Sequence, residues 1–326
     1  MSFSRTTIIR GPAQIKWGSD YLYSQGDIKL SIGHQVFPII NSAMGLVQER
    51  SQQRVATVQF TPVGTYYASL WPYGTKKPGD RLLTDTDQNL EIHSYAGTKC
   101  TIYNCAVTKM PDLILSATKT LAGEVTFTGL GKGDPGTGIT PQNEDNSFVS
   151  FDSTAGAPAD FFDPSTVPTQ FYTASWNTSS SGSSSNASAP SNPWANIKTQ
   201  AGWHFTFDLS LQPVDVDEYG TVDWTIGDVK ANARATILGY TENQVSDAVH
   251  PHILRGAPLD TSNDLVVTYA GATALYAKLY ACQARTVPAQ FGLTTLRLAE
   301  MEWIGTRKVF NTAIMPIFYV GTDMPA

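Results

Sequence analysis

The stretch NCAVTKMPDLILSATKTLAGEVTFTG, residues 104–129, is matched later in the same chain by ACQARTVPAQFGLTTLRLAEMEWIG, residues 281–305. Matching residues are 177 positions apart (282 − 105 = 177), and the matches include Cys105/Cys282, Pro111/Pro288, Leu121/Leu298 and Ala122/Ala299. Gly129 and Gly305 close the two stretches one position out of step, as a single deletion would leave them. A repeat of this length exceeds a solenoid unit. It therefore predicts two tandem copies of one domain.

Alternating apolar and polar residues surround both stretches and predict β-strands. In the first copy the pattern covers residues 13–23, 27–33 and 54–60, and residues 100–107 (CTIYNCAV) are predicted as one strand, as are residues 274–282 (ALYAKLYAC) in the second copy. In the second copy HFTFDLSL, residues 204–211, places Phe205, Phe207, Leu209 and Leu211 on one face. The segment Thr221–Trp224 is matched with Thr57–Phe60. A short helix is predicted in each copy, at 65–71 and at 241–249.

The segment between the copies has a different composition. GKGDPGTG, residues 131–138, and TSSSGSSSNASAPSNP, residues 178–193, cannot bury a core and predict loops. Aromatic residues among prolines separate these two loops and favour an extended arm packed on a domain or a neighbour. The predicted domains are 1–134 (first β domain), 135–196 (arm and Ser-rich loop) and 197–326 (second β domain with a C-terminal arm).

Charge argues against tight binding of nucleic acid. The net charge of the 326-residue chain is −6 and only 15% of its residues are charged. Residues 11–130 carry 10 Lys and Arg against 9 Asp and Glu, and residues 200–308 carry 8 against 12. Neither copy is basic enough to hold phosphates by releasing counterions. A wall past which DNA slides without sticking would tolerate this balance.

No motif for catalysis, metal or cofactor is found. The sequence has no GxSxG, HExxH or P-loop pattern, so no catalytic, cofactor-binding or metal residue is predicted and the chain is predicted not to be an enzyme. The weaker candidates are His250/His252 as a metal pair, Asp85/Asp87 and Asp215–Glu218 as calcium-loop fragments, and Asp208/Asp217 as a glycosidase pair. Turn and strand-edge positions are the favoured interpretation of all of them.

The three cysteines, Cys100, Cys105 and Cys282, are predicted to be buried thiols in a reducing compartment. Cys105 and Cys282 hold matching positions and are expected in separate cores. The N-terminus lacks an apolar leader pattern, and the longest apolar stretch, 310–320, is too short to span a bilayer. The expectation is a soluble protein made in the cytoplasm.

Three segments resemble a known family. Residues 11–33 (GPAQIKWGSDYLYSQGDIKLSIG) resemble the opening of the tail tube, or major tail, proteins of long-tailed bacteriophages. Residues 112–130 resemble the closing strands of that domain, and residues 193–224 resemble its start in a second copy. The resemblance spans both copies.

The resemblance implies a fold and a function. The fold would be two antiparallel β-sandwiches or part-barrels, each with a flanking helix, joined by the long Gly/Pro/Ser-rich insertion. Six such domains form a ring in that family, so three duplicated chains would form a pseudo-hexameric ring, and rings would stack into a tube in the virion tail. Implied partners are other copies of the chain, the tape measure, terminator and distal tail proteins, and DNA passing through the lumen. No membrane and no cofactor are implied.

Two other functions stay open. One is a tail terminator or distal-tail hub ring, which would form rings that do not stack. The other is a carbohydrate-binding adhesin or a glycosidase built on a β-sandwich, for which the aromatic content would be suitable.

Overall fold

The computed structural model describes residues 13–64, 67–82, 88–95, 97–116, 120–129, 149–152, 172–176, 197–216, 220–237, 264–269, 275–286, 289–291, 296–298, 300–306, 309–310, 313–314 and 316–322. The described chain is mainly β and is built from antiparallel sheets. The predicted β class is confirmed. The one helical element in these ranges is a 3₁₀ turn, Ala68–Leu70. It lies inside the predicted helix 65–71, whereas the predicted helix 241–249 falls outside the described residues.

The described residues of the first half of the chain form twelve strands. In chain order they are β1 (Ala13–Trp17), β2 (Asp20–Ser24), β3 (Lys29–Asn41), β4 (Gly45–Phe60), β5 (Pro62–Val63), β6 (Leu90–Ser94), β7 (Lys99–Ile102), β8 (Cys105–Lys109), β9 (Leu113–Leu115), β10 (Thr120–Ala122), β11 (Val125–Gly129) and β12 (Val149–Asp152).

The described residues of the second half form another twelve. They are β13 (Tyr172–Trp176), β14 (Trp203–Val216), β15 (Gly220–Thr236), β16 (Leu265–Tyr269), β17 (Leu275–Leu279), β18 (Gln283–Thr286), β19 (Ala289–Phe291), β20 (Leu296–Leu298), β21 (Glu300–Ile304), β22 (Val309–Phe310), β23 (Ala313–Ile314) and β24 (Phe318–Gly321).

Four of the described sheets pack in pairs to form two β-sandwich-like units. In the first half the sheet β12-β7-β6-β1-β2-β5 packs on the sheet β3-β4-β11-β8, and Trp17 meets Phe127 edge-on with ring centroids 4.9 Å apart. In the second half the sheet β13-β16-β17-β24 packs on β14-β15-β21-β18, where Trp176 meets Trp303 edge-on at 5.9 Å. Aromatic rings at these positions fill the space between facing sheets.

Eight described strands of each half are paired in the same order, and β2 and β5 extend the first-half sheet beyond them. The order β3-β4-β11-β8 has its counterpart in β14-β15-β21-β18, and β12-β7-β6-β1 has its counterpart in β24-β17-β16-β13. The β-bulges also correspond. The β3–β4 ladder shifts register after Gln35 and after Ile39, and the β14–β15 ladder shifts after Ser210 and after Val214, each 175 residues later (210 − 35 = 175). A bulge is a specific local feature of a strand pair, and two bulges at one spacing are informative about register.

These registers correct one sequence match. Val58 of β4 lies opposite Phe127, and Ala233 of β15 lies opposite Trp303. By strand position Thr57–Phe60 therefore corresponds to residues 232–235, and the predicted match with Thr221–Trp224 is wrong by eleven positions. The match failed because alanines stand in β15 where larger apolar residues stand in β4.

Two predicted strands are each divided between sheets. The run 100–107 is divided between β7 and β8, which lie in opposite sheets and are separated by Asn104, whose φ is 49°. The run 274–282 was also predicted as one strand. It ends in β17 at Leu279, and β18 begins in the facing sheet after Ala281, whose φ is 42°. A residue in the left-handed region changes the direction of the backbone. Because the apolar pattern continues past each of these residues, alternation alone did not reveal the breaks.

The segment 135–196 contributes to both halves. Strand β12 pairs with β7 of the first half, and β13 pairs with β16 of the second half, where Trp176 is fully buried. The buried apolar residues of the two halves form one continuous cluster. Cys105 and Cys282 both belong to it, so the expectation of separate cores is wrong.

Candidate assembly surface

The two halves are joined by a strand-addition contact. The hairpin β9–β10 of the first half pairs with β14 at the edge of the second-half sheet, with Leu113 opposite Phe205 and Leu115 opposite Trp203. Gly202 permits the close approach, since a Cβ atom there would overlap the Leu115 carbonyl and Ser116. An unpaired strand edge is the usual place for another β-segment to add. Here the added segment comes from the other half of the same chain.

A loop of the first half also docks on β15. The Gly79 and Leu82 amides donate to the carbonyls of Ile226 and Trp224, at 2.8 and 2.9 Å, and the Ile226 amide donates to the Asp80 carbonyl at 2.9 Å. The Arg81 guanidinium lies 3.6 Å from the carboxylate of Asp223, whose side chain is only 2% exposed. Backbone pairing and a charge contact therefore hold the loop against the second half.

Aromatic packing closes the junction. Trp71 donates its indole N–H to the Pro111 carbonyl at 2.8 Å and packs against Phe207 of β14, with centroids 6.2 Å apart. Phe207 also contacts Phe318 at 4.7 Å. The result is that Phe207 is 5% exposed although it lies beside a sheet edge.

The β3–β4 hairpin carries the main exposed apolar surface among the described residues. We call this surface the hairpin tip; it consists of Ile39, Ile40, Met44, Leu46 and Val47, which are 36–73% exposed. Clustered exposed apolar side chains on a soluble domain mark contact surfaces. The hairpin tip is thus a candidate for a contact with another protein surface.

The turn that presents the hairpin tip is locally encoded. The Asn41 side-chain oxygen accepts from the Ala43 amide at 2.8 Å, and Gly45 has a φ of 72°. Sequence reasoning did not single out this surface. The available signal was the apolar run 36–40 (VFPII), which lacks the alternation expected of a strand with one buried face.

All three cysteines are buried and free of disulfides, as predicted from their number and setting. Burial raises the pKa of Cys100 to about 11 and that of Cys105 to about 12, and it also raises the pKa of Cys282. Thiols with raised pKa values carry little thiolate and react slowly.

The remaining sequence candidates are not brought together. Asp208 is exposed on β14 opposite Lys230, and its suggested partner Asp217 lies outside the described residues. Asp85, Asp87, Glu218, His250 and His252 lie outside them as well. Asp215 and Val216 end β14. In the ranges the structure describes, no three His, Cys, Asp or Glu side chains cluster as metal ligands would, and no helix has the length and apolarity to cross a membrane.

Comparison with known proteins does not assign the chain. No protein-family model matches it, and no curated protein has a similar sequence.

Proposed function

We propose that this protein is a duplicated tail tube protein of a long-tailed bacteriophage, and that three copies form a pseudo-hexameric ring. Rings would stack into a tube within the virion tail, through which DNA passes without specific binding. The chain would be made and assembled in the host cytoplasm, and the other partners would be the tape measure, terminator and distal tail proteins. The proposal includes the duplication and a structural role without catalysis.

The observation that carries the proposal is the intrachain junction between two halves of matching strand order. The bulges after Gln35 and Ser210, and those after Ile39 and Val214, support the duplication because they recur at one spacing. A third bulge, between β8 and β11, recurs between β18 and β21. Local features at matched positions are expected when two domains descend from one.

The junction supports a ring because it is head-to-tail. The hairpin β9–β10 of the first half contacts the β14 edge of the second, so the two halves use different surfaces. A contact of this kind repeats from domain to domain, and it closes into a ring when the rotation per domain divides a full turn. Six domains in three chains would make this contact at every domain boundary and leave no copy of it unpaired.

Stacking requires a second surface, for which the hairpin tip is suited. Five exposed apolar side chains on one protruding β-hairpin would be covered by an adjacent ring. The net charge of −6 suits a lumen that DNA must cross without adhering.

The test is electron microscopy of the purified protein combined with its mass in solution by light scattering. We expect rings with a central channel, a mass of three 35.3 kDa chains per ring, and stacks of rings at higher concentration.

Each other outcome has a distinct meaning. Rings that never stack would favour a terminator or distal-tail hub. A monomer at every concentration that binds glycans would reject the tube and favour an adhesin. Six chains in a ring would reject the pseudo-hexamer.

A further inference from the structure

The edge of β3 differs from the edge of β14 in one respect: no described strand pairs with it. Within the described residues β3 pairs with β4 alone, whereas β14 pairs with both β15 and the hairpin β9–β10. If β3 and β14 are counterparts, the β3 edge lacks the segment that its counterpart has.

Burial along the two strands supports this comparison. The bulge spacing of 175 residues matches Trp203, Phe205 and Phe207 with Ile28, Leu30 and Ile32. The three aromatic residues are 2%, 0% and 5% exposed, whereas Ile28 and Leu30 are half-buried and Ile32 is 49% exposed. Apolar side chains at the same strand positions are therefore enclosed in one half and open in the other.

A groove runs beside these open positions. It has a volume of about 560 Å³; its apolar lining includes Ile28, Leu30 and Ile92, and its polar lining consists of Ser24, Asp27, Lys29 and Thr98. This mixture suits a β-segment, which offers both apolar side chains and backbone hydrogen-bonding groups.

The chain contains a segment of the required kind. The hairpin β19–β20 lies between β18 and β21, as β9–β10 lies between β8 and β11. In the described part of the chain, β19 and β20 pair only with each other. Among the described strands, the second half thus carries a hairpin without an acceptor strand, and the first half carries an acceptor strand without an added hairpin.

We propose that the β19–β20 hairpin of one copy adds to the β3 edge of the next copy, as β9–β10 adds to β14 within a chain. This inference rests on the proposed ring, because it makes the interchain contact the counterpart of the intrachain one. The added hairpin covers Ile28 and Leu30 beside the groove, as β9 pairs along Trp203 and Phe205, and the contact as a whole encloses Ile32, as Phe207 is enclosed at the internal junction. The occupant is therefore a second copy of this chain.

Paired cysteines test the contact. Within the chain Ile114 lies opposite His204, so the variant Ile114→Cys/His204→Cys is the positive control and should form an intrachain disulfide. The strand registers match His204 with Lys29. In the hairpin β9–β10 Ile114 pairs with Leu121, and in β19–β20 Ala289 pairs with Leu298. Because Leu121 and Leu298 are matching residues of the repeat, Ile114 corresponds to Ala289. The test variant is accordingly Lys29→Cys/Ala289→Cys. A version with Phe291→Cys covers a register two residues away.

We expect the test variant to form covalent trimers on a non-reducing gel after mild oxidation. Lys29→Cys/Gln290→Cys is the matched negative control, because adjacent residues of a strand point to opposite faces and its crosslinking should be at least tenfold weaker. The native cysteines are buried and should not interfere.

The outcomes separate this inference from the proposed function. Trimeric rings in which neither Ala289→Cys nor Phe291→Cys crosslinks to Lys29→Cys would overturn the hairpin contact and leave the ring intact. An open ladder of crosslinked dimers, trimers and longer species would support the contact and overturn the closed ring. A monomer that does not crosslink at any concentration would overturn both.

A second variant gives an independent readout. Ile32→Asp places a charge on an exposed side chain, so the isolated chain should keep its circular dichroism spectrum and melting temperature. Ring formation should fall at least tenfold, whereas Ile32→Val should assemble normally. Normal assembly of a folded Ile32→Asp protein would contradict burial of Ile32 in the contact.

Discussion

Asn104 and Ala281 share a left-handed backbone conformation, with φ values of 49° and 42°, and lie 177 residues apart. They are the only non-glycine residues with positive φ in the described part of the chain. Each lies two residues after the end of a β-strand of one sheet, where the chain crosses to the facing sheet. The two residues therefore lie at the same kind of crossing between facing sheets in the two halves.

The conformation of Ala281 leads to a stability prediction. Ala281→Gly and Ala277→Gly each remove a buried methyl group, but only the first also relieves a left-handed backbone. Since that conformation costs a non-glycine residue about 1–2 kcal/mol, Ala281→Gly should be less destabilising than Ala277→Gly by about that amount. Urea unfolding of both variants measures the difference. Equal losses would contradict strain at Ala281.

Gly202 should be needed for the junction between the halves. A Cβ there would overlap Leu115 and Ser116, whereas one on Gly79, which has a similar φ (92° against 87°), would meet nothing within 4 Å. Gly79→Ala should cost about 1–2 kcal/mol from backbone strain. Gly202→Ala should cost about 1–3 kcal/mol more from overpacking. Thermal unfolding of both variants tests this, and equal costs would show that the hairpin yields without penalty.

The cysteines should make stability depend on pH in the alkaline range. Burial raises the folded-state pKa of Cys100 to about 11 and of Cys105 to about 12, above the usual value of about 8.5 for an exposed thiol. Between these values the unfolded chain loses protons that the folded chain keeps, so the free energy of unfolding falls as pH rises. The contribution is complete below about pH 8.5 and is lost towards pH 11–12.

The measurement is urea unfolding between pH 7 and 10.5 for the wild type and for Cys105→Ala. The variant should show a shallower decline, by at most about 1.4 kcal/mol per pH unit. Alkylation gives a second readout: the folded protein should react slowly at pH 8, and all three thiols should react in denaturant. An unchanged pH slope in Cys105→Ala would contradict the assignment.

The hairpin tip should control stacking and not ring closure. Ile40 is 71% exposed, so Ile40→Asp should leave folding and rings unchanged while abolishing stacks of rings in electron micrographs. Ile40→Val is the control and should stack normally. Stacks of normal length from Ile40→Asp would remove the hairpin tip from the stacking surface.

Much of the β architecture could be predicted from alternation. The pattern around Ile15, Trp17 and Leu22 predicted β1 and β2, and that of Phe205 and Phe207 predicted the start of β14. The breaks at Asn104 and Ala281 could not be predicted, because the apolar run continues through each of them while the backbone reverses. The candidate surfaces were also missed. Whether Ile32 or Ile40 is exposed depends on which strands cover it, and a pattern of residue types does not contain that information.

The sequence by itself determined the strand-rich composition, the internal match between residues 104–129 and 281–305, and the burial of three thiols. These follow from local periodicity and residue chemistry, which act over a few positions. Only the tertiary structure decided which strands share a sheet, where bulges shift the register, and that β9–β10 adds to β14 across the two halves. Those features depend on contacts between distant residues, because a strand edge accepts any backbone of suitable direction and packing selects among them.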